Sequence, residues 1–198
     1  MFIQIIQARC TRQDEARACI DRWREELSPG SVGWLGGTYG FTDDDMFVGV
    51  VRFDSKESAM QNSSRPEQGA WWADMEKCLD GPAEFHNCDD VTLFLDGGSD
   101  QAGFVQIIRG KVDDPARLKA MMSSETDALH EMRPDIIGGT LAIEDDGTFT
   151  ETIAFTSEDE ARRYESSAPM PAEMQAEMDA VMHDVTYLDL HRPFFSSK

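Results

Sequence analysis

The chain alternates short apolar runs of strand length with stretches of helical period, and it does so twice. Phe2-Ile3-Gln4-Ile5-Ile6 opens as a strand, and Ala16, Ile20, Trp23 and Leu27 then fall on one face of a helix. Residues 32–41 and 46–53 read as two strands joined at Asp43-Asp44-Asp45, a turn-forming run, which predicts a hairpin. Asp54-Ser55 opens a second helical region, and a last strand runs from about Val91 to Leu95. The second half repeats this order. A strand from Phe104 leads to a helical face of Leu118, Met122 and Leu129, then to a hairpin of 136–143 and 148–155 around Asp145-Asp146-Gly147. Thr156-Ser157, with Glu160 completing a capping box, opens the next helix, and Val185 to Leu190 is the last strand.

The two halves are copies of each other. An offset of 102 residues aligns Phe2-Ile3-Gln4-Ile5-Ile6 with Phe104-Val105-Gln106-Ile107-Ile108 and Gly36-Gly37-Thr38 with Gly138-Gly139-Thr140. Held without a gap from residue 2 to 64, it gives 16 identities in 63 positions, where unrelated segments give roughly four. Farther on, Asp90-Val91-Thr92 matches Asp184-Val185-Thr186 at an offset of 94, so the second copy is expected to be shorter before its last strand. The stretch Gly97-Gly98-Ser99-Asp100-Gln101-Ala102-Gly103 has the composition of a short connector.

The order β-α-β-β-α-β is the split βαβ, ferredoxin-like arrangement, a four-stranded antiparallel sheet with both helices on one face. The predicted class is therefore α+β: two tandem ferredoxin-like units, residues 1–97 and 103–195, packed sheet to sheet as a pseudo-dimeric α+β barrel. The bare sheet face of each copy needs a second layer, and the tethered copy supplies one. A monomer or weak homodimer follows, because the contact is already made within the chain. Strand alternation assigns Phe47, Val51, Phe53, Leu35, Tyr39 and Phe41 to the helices, and Val48, Val50, Arg52, Trp34, Thr38 and Gln4 to the opposite, inward face.

Charge narrows the partners. The formal net charge of −20 repels nucleic acid and anionic membranes, and no apolar run approaches the ~20 residues that span a bilayer. Cys10, Cys19, Cys78 and Cys88 show no metal-binding spacing and read as reduced thiols of a cytoplasmic protein, with no metal expected. The N-terminus reads as a strand rather than a secretory signal.

Taken with the element order, Gln4, Gly36-Gly37-Thr38 and the Asn62-Ser63-Ser64-Arg65-Pro66…Trp71-Trp72 stretch resemble the antibiotic biosynthesis monooxygenase-like family of the dimeric α+β barrel superfamily. The resemblance implies a protein that binds or oxidises a small aromatic or polyketide-like molecule without metal, flavin or other cofactor. Alternatives within the same fold are a non-catalytic ligand-binding or stress-response protein and, as a minor reading, a haem-binding or haem-degrading one. Haem-degrading members use a strand-one Asn, a second-helix Trp and a His beyond it, for which Gln4, Trp71 or Trp72, and His86 are the nearest candidates.

A cofactor-free oxygenase needs a dry aromatic pocket with polar groups for an ionised phenol. Arg52, Asn62, Trp71 and Trp72 are the candidates for catalysis, with Gln4, Trp34, Thr38 and His86 for ligand binding. Neighbouring helical residues diverge, so one of Trp71 and Trp72 is expected in the core and the other at the ligand. The second copy has Ile136, Leu141 and Ala154 in place of Trp34, Tyr39 and Arg52, and its inward Thr140, Thr150 and Thr152 offer no titratable group. The i+4 spacing of Met170, Met174, Met178 and Met182 predicts a core stripe there, and this copy reads as structural.

Overall fold

The N-terminal apolar run forms β1 (Phe2–Arg9), followed by α1 (Gln13–Arg22) with a π-helical turn Trp23–Leu27, β2 (Trp34–Phe41), β3 (Met46–Phe53), α2 (Lys56–Ser63), α3 (Pro66–Glu76) and β4 (Glu84–Cys88). Then come β5 (Asp90–Phe94), β6 (Phe104–Val112), α4 (Pro115–Ser124), β7 (Ile136–Ile143), β8 (Thr148–Phe155), α5 (Glu158–Ser167), α6 (Ala172–Asp179), β9 (Met182–Leu190) and β10 (Phe194–Ser197). This is a computed structural model that describes residues 1–124, 131–167 and 172–197. Leu129 and Met170, expected on helical faces, lie outside the described residues.

The strands form two antiparallel five-stranded sheets, ordered β10-β2-β3-β1-β4 and β5-β7-β8-β6-β9. The first belongs to a unit of Met1–Asp89 with Phe194–Lys198, the second to a unit of Asp90–Pro193. The expectation of four strands per copy is corrected. The place beside β1 is taken by β4, whose Glu84, His86 and Asn87 hide it from a search for apolar runs, and the predicted strand near Val91 adds instead to β7. In the same way β10 adds to β2. Each repeat thus ends in a strand that satisfies the outer backbone groups of the other repeat's hairpin.

The offset of 102 holds to the end of the chain. Gln4 lies opposite Asn87 as Gln106 lies opposite Asp189, and Thr38 faces Phe195 as Thr140 faces Leu93. The three-residue match at an offset of 94 is coincidental, and the second copy is not shortened there.

Register decides which side chains meet the helices. Phe2, Gln4, Ile6 and Ala8 share a face with Phe53, Val51 and Phe47, because directly paired residues point the same way. Gln4 therefore faces the helices, against expectation, since an apolar run on both faces carries no phase of its own. Trp34 is also corrected. A bulge between Trp34 and Gly36 slips the alternation by one residue, so Trp34 packs with Phe2, Trp23, Leu27 and Phe53 on the helix side. Ile136 is moved by the same bulge in the second sheet, into a cluster with Phe104 and Phe155. There Gly138 has φ 153°, and a Cβ would stand 1.7 Å from the Gly97 carbonyl oxygen, so the repeated Gly-Gly-Thr is a backbone requirement.

Candidate functional site

The second helical region is broken where Arg65, extended at φ −69° and ψ 132°, precedes Pro66 at the first position of α3. After the break, α3 sets Trp71, Trp72 and Met75 against the sheet. Between sheet and helices of the first unit lies a cleft of about 60 Å³. Its floor is Gln4 and Ile6 of β1, Tyr39 of β2, and Phe47, Val51 and Phe53 of β3; Ile20 and Trp23, Asn62 and Ser63, and Gln68, Trp71, Trp72 and Met75 close it from the helices.

An aromatic wall runs through it. Trp23 meets Trp34 edge-on at 5.0 Å between centroids, Trp71 at 6.3 Å follows, and Trp72 meets Phe85 edge-on at 5.0 Å. Trp71 is held, its indole N–H donating to the Cys19 carbonyl at 2.7 Å, whereas the Trp72 N–H makes no hydrogen bond among the described residues. Both tryptophans line the cleft, one anchored and one free to turn.

Two of the polar groups, Asn62 and Gln68, are oriented by partners that can only donate. The Arg65 guanidinium donates to Asn62 Oδ1 at 3.0 Å and to the Leu27 carbonyl at 3.1 Å, which leaves Asn62 Nδ2 as the group offered to the cleft. The Trp23 indole donates to Gln68 Oε1 at 2.6 Å, so Gln68 likewise presents its NH₂. Gln4 donates to Asn87 at 2.9 Å. Tyr39 is buried, and burial pushes its phenol well above the ordinary range, so it stays a neutral O–H. The lining is thus apolar with neutral donors.

Tyr39 occupies its place because Gly37 lacks a side chain: a Cβ there would stand 2.2 Å from the phenol oxygen. Gly37→Ala should drive the ring into the cleft and cost roughly 1–3 kcal/mol, read as a lower urea midpoint with an unchanged slope. A midpoint equal to wild type would show that the ring yields freely.

The structure gathers Gln4, Asn62, Trp71 and Trp72, and it separates the remaining candidates from them. Arg52 and Thr38 lie on the sheet face away from the helices, where Arg52 donates to Thr38 Oγ1 at 3.0 Å. His86 sits opposite Ile5 on that same face of edge strand β4. Trp34 is 2% exposed and buttresses Trp23 without lining the cleft. Tyr39, Gln68 and Trp23 were missed as site residues; the hairpin phase placed Tyr39 toward the helices, but nothing in the sequence marked that layer as the site.

Glu151 of β8 was missed as well. It takes the position of Gly49 in the second repeat, faces the helices with Phe149 and Ile153, and is 8% exposed with no hydrogen bond or ion pair among the described residues. Burial raises its carboxyl to about 7. A carboxylate in an otherwise apolar strand phase was the available signal.

No protein-family model and no curated protein matches the chain. Solved structures do. A candidate monooxygenase from Fusobacterium nucleatum superposes with a TM-score of 0.79 at 8% identity, over 100% of this chain and 94% of its own. Another from Lactobacillus acidophilus NCFM gives 0.76 at 13% identity over 99% and 95%. The chain has the tandem fold of the antibiotic biosynthesis monooxygenase-like proteins. An anthrone oxidase-like protein shares this fold at a TM-score of 0.68 and 9% identity, over 99% of this chain and 92% of its own. Among the described residues no helix is long and apolar enough to cross a membrane, and no cluster of three or more His, Cys, Asp or Glu side chains is placed to hold a metal ion.

Proposed function

We propose that the cleft of the first unit binds a small aromatic or polyketide-like molecule through a carbonyl or phenol oxygen and oxygenates it without metal or flavin. The observation that carries this reading is the pairing of an aromatic wall with the oriented NH₂ groups of Asn62 and Gln68 and the neutral phenol of Tyr39. Such donors stabilise negative charge developing on the ligand oxygen, in surroundings where water does not compete. Deprotonation is the step that readies such a molecule for oxygen: the phenol loses its proton to solvent water as it enters, with no basic side chain among the described residues lining the cleft, and these donors favour the anion. At about 60 Å³ the cleft is smaller than the ~300 Å³ of ordinary ligand pockets, so on binding α1 and α3 part and Trp72 and the half-exposed Phe85 swing aside. The proposed setting is a cytoplasmic monomer or weak dimer, and the four cysteines are free thiols.

A second reading, ligand binding without turnover, is favoured by one observation: among the described residues no side chain lining the cleft is a carboxylate, histidine or lysine that would serve as a base. The haem reading has less support, since His86 and the tryptophans lie on opposite faces of the sheet.

Titration with a polycyclic phenol, followed by tryptophan fluorescence and oxygen uptake, separates these readings. Asn62→Leu should weaken binding about tenfold, the worth of one hydrogen bond to a charged or polarised oxygen, and Arg52→Ala should leave it unchanged. Saturable binding without oxygen uptake supports the binding protein. An Arg52 effect larger than that of Asn62 would move the site to the other face of the sheet.

A further inference from the structure

Two thiols stand behind the cleft. Cys19 of α1 and Cys78, just beyond α3, have their sulfurs 3.9 Å apart, and they are separated by 59 positions in the chain. Their two helices carry the movable and anchored parts of the wall, Trp23 on the α1 side and Trp71 and Trp72 on α3, and the Cys19 carbonyl itself holds the Trp71 indole. Cys19 is half-buried and reachable from solvent, whereas Cys78 is 5% exposed, with its thiol pushed up to about 11 by burial and by the neighbouring Cys19. That is the division of labour between an entering and a resolving thiol.

We propose that Cys19 and Cys78 form a redox-active dithiol, a site of modification by small disulfides, whose closure ties α1 to the end of α3 and fixes the aperture of the cleft. The thiolate of Cys19 attacks one sulfur of a disulfide such as oxidised glutathione, whose S–S bond breaks and releases one glutathione. Cys78 then gives up its proton and attacks Sγ of Cys19 in the mixed disulfide, expelling the second glutathione. Two thiols are oxidised to one disulfide, and the glutathione disulfide is reduced by the same two electrons. Closing from 3.9 Å to the ~2.05 Å of a disulfide is within reach of side-chain rotation and a small helix shift. Cys10, fully buried with its thiol donating to the Cys78 carbonyl at 3.3 Å, packs beside the pair and is not accessible to the oxidant.

The effect on the cleft rests on the ligand-binding reading; the dithiol itself does not. Full-length protein is incubated with oxidised glutathione and mapped by mass spectrometry without reduction. The expected product has lost two hydrogens, joins the Cys19 and Cys78 peptides and is reversed by dithiothreitol. Cys78→Ala should stop at a glutathione adduct on Cys19, and Cys19→Ser should form no internal disulfide. A lasting adduct on Cys19 in the wild type, a Cys10–Cys78 link, or no reaction overturns the proposal. Oxidised protein should also bind the polycyclic phenol at least about tenfold more weakly, because the helices can no longer part. Equal affinity in both redox forms overturns the clamp. A failure of both forms to bind counts against the proposed function, and the dithiol is then decided by the mapping alone.

Discussion

Glu151→Gln should leave the protein about 3 kcal/mol more stable than wild type above pH 7, and within about 1 kcal/mol of it near pH 4. The sign follows from which state holds the proton. Burial raises the folded-state carboxyl from the ordinary 4.5 to about 7. Below the lower value both states are protonated and the buried acid is neutral. As pH rises through the interval the unfolded chain ionises first, and folding loses about 1.4 kcal/mol per pH unit until the native carboxyl ionises too. Above about 7 the loss is complete and constant. Urea unfolding of both proteins at pH 5 and pH 8 measures it, and a wild type with equal stability at the two values would mean that Glu151 finds a counter-charge on ionisation. At position 49 the first repeat has Gly, so its cleft carries no such pH dependence from this row of the sheet.

Arg65→Ala should destabilise the first unit by about 3 kcal/mol and weaken phenol binding as well. The guanidinium donates to Asn62 Oδ1, to the Leu27 carbonyl and to Glu67, with its side chain only 18% exposed. Charge-assisted bonds of this kind contribute roughly 1.5–3 kcal/mol each, and truncation leaves acceptors in a largely buried setting. Glu67, exposed on its own side, adds little. Arg65→Lys should recover less than half of the loss, because Nη1 meets the Asn62 and Leu27 acceptors while Nε holds Glu67, a spread of planar donors that one ammonium nitrogen cannot cover. Binding reports the orienting role separately: once Arg65 is gone the Asn62 amide turns freely, and affinity should fall by several-fold even under conditions where the variant is fully folded. An Arg65→Ala protein that is destabilised yet binds normally would reduce Arg65 to a structural residue.

The sequence by itself determined the duplication, the β-α-β-β-α-β order and the α+β class, because each is carried by local signals. Strand and helix periods, turn-forming acidic runs and the Ser55 and Ser157 caps act within a few residues, and both caps form as expected. It also marked Gln4, Asn62, Trp71 and Trp72, which the cleft brings together. Only the tertiary structure decided which of the candidate side chains share the cleft between sheet and helices. The phase of β1 depends on pairing with β3, since its own residues are apolar on both sides. Trp34 changed sides through one bulge residue, and Arg52 and His86, both candidates from the sequence, faced away once register was set. The polar edge strand β4 and the exchange of β5 and β10 were illegible for the same reason: a strand's partner is chosen by unsatisfied backbone groups elsewhere in the chain, and those leave no trace in its local pattern.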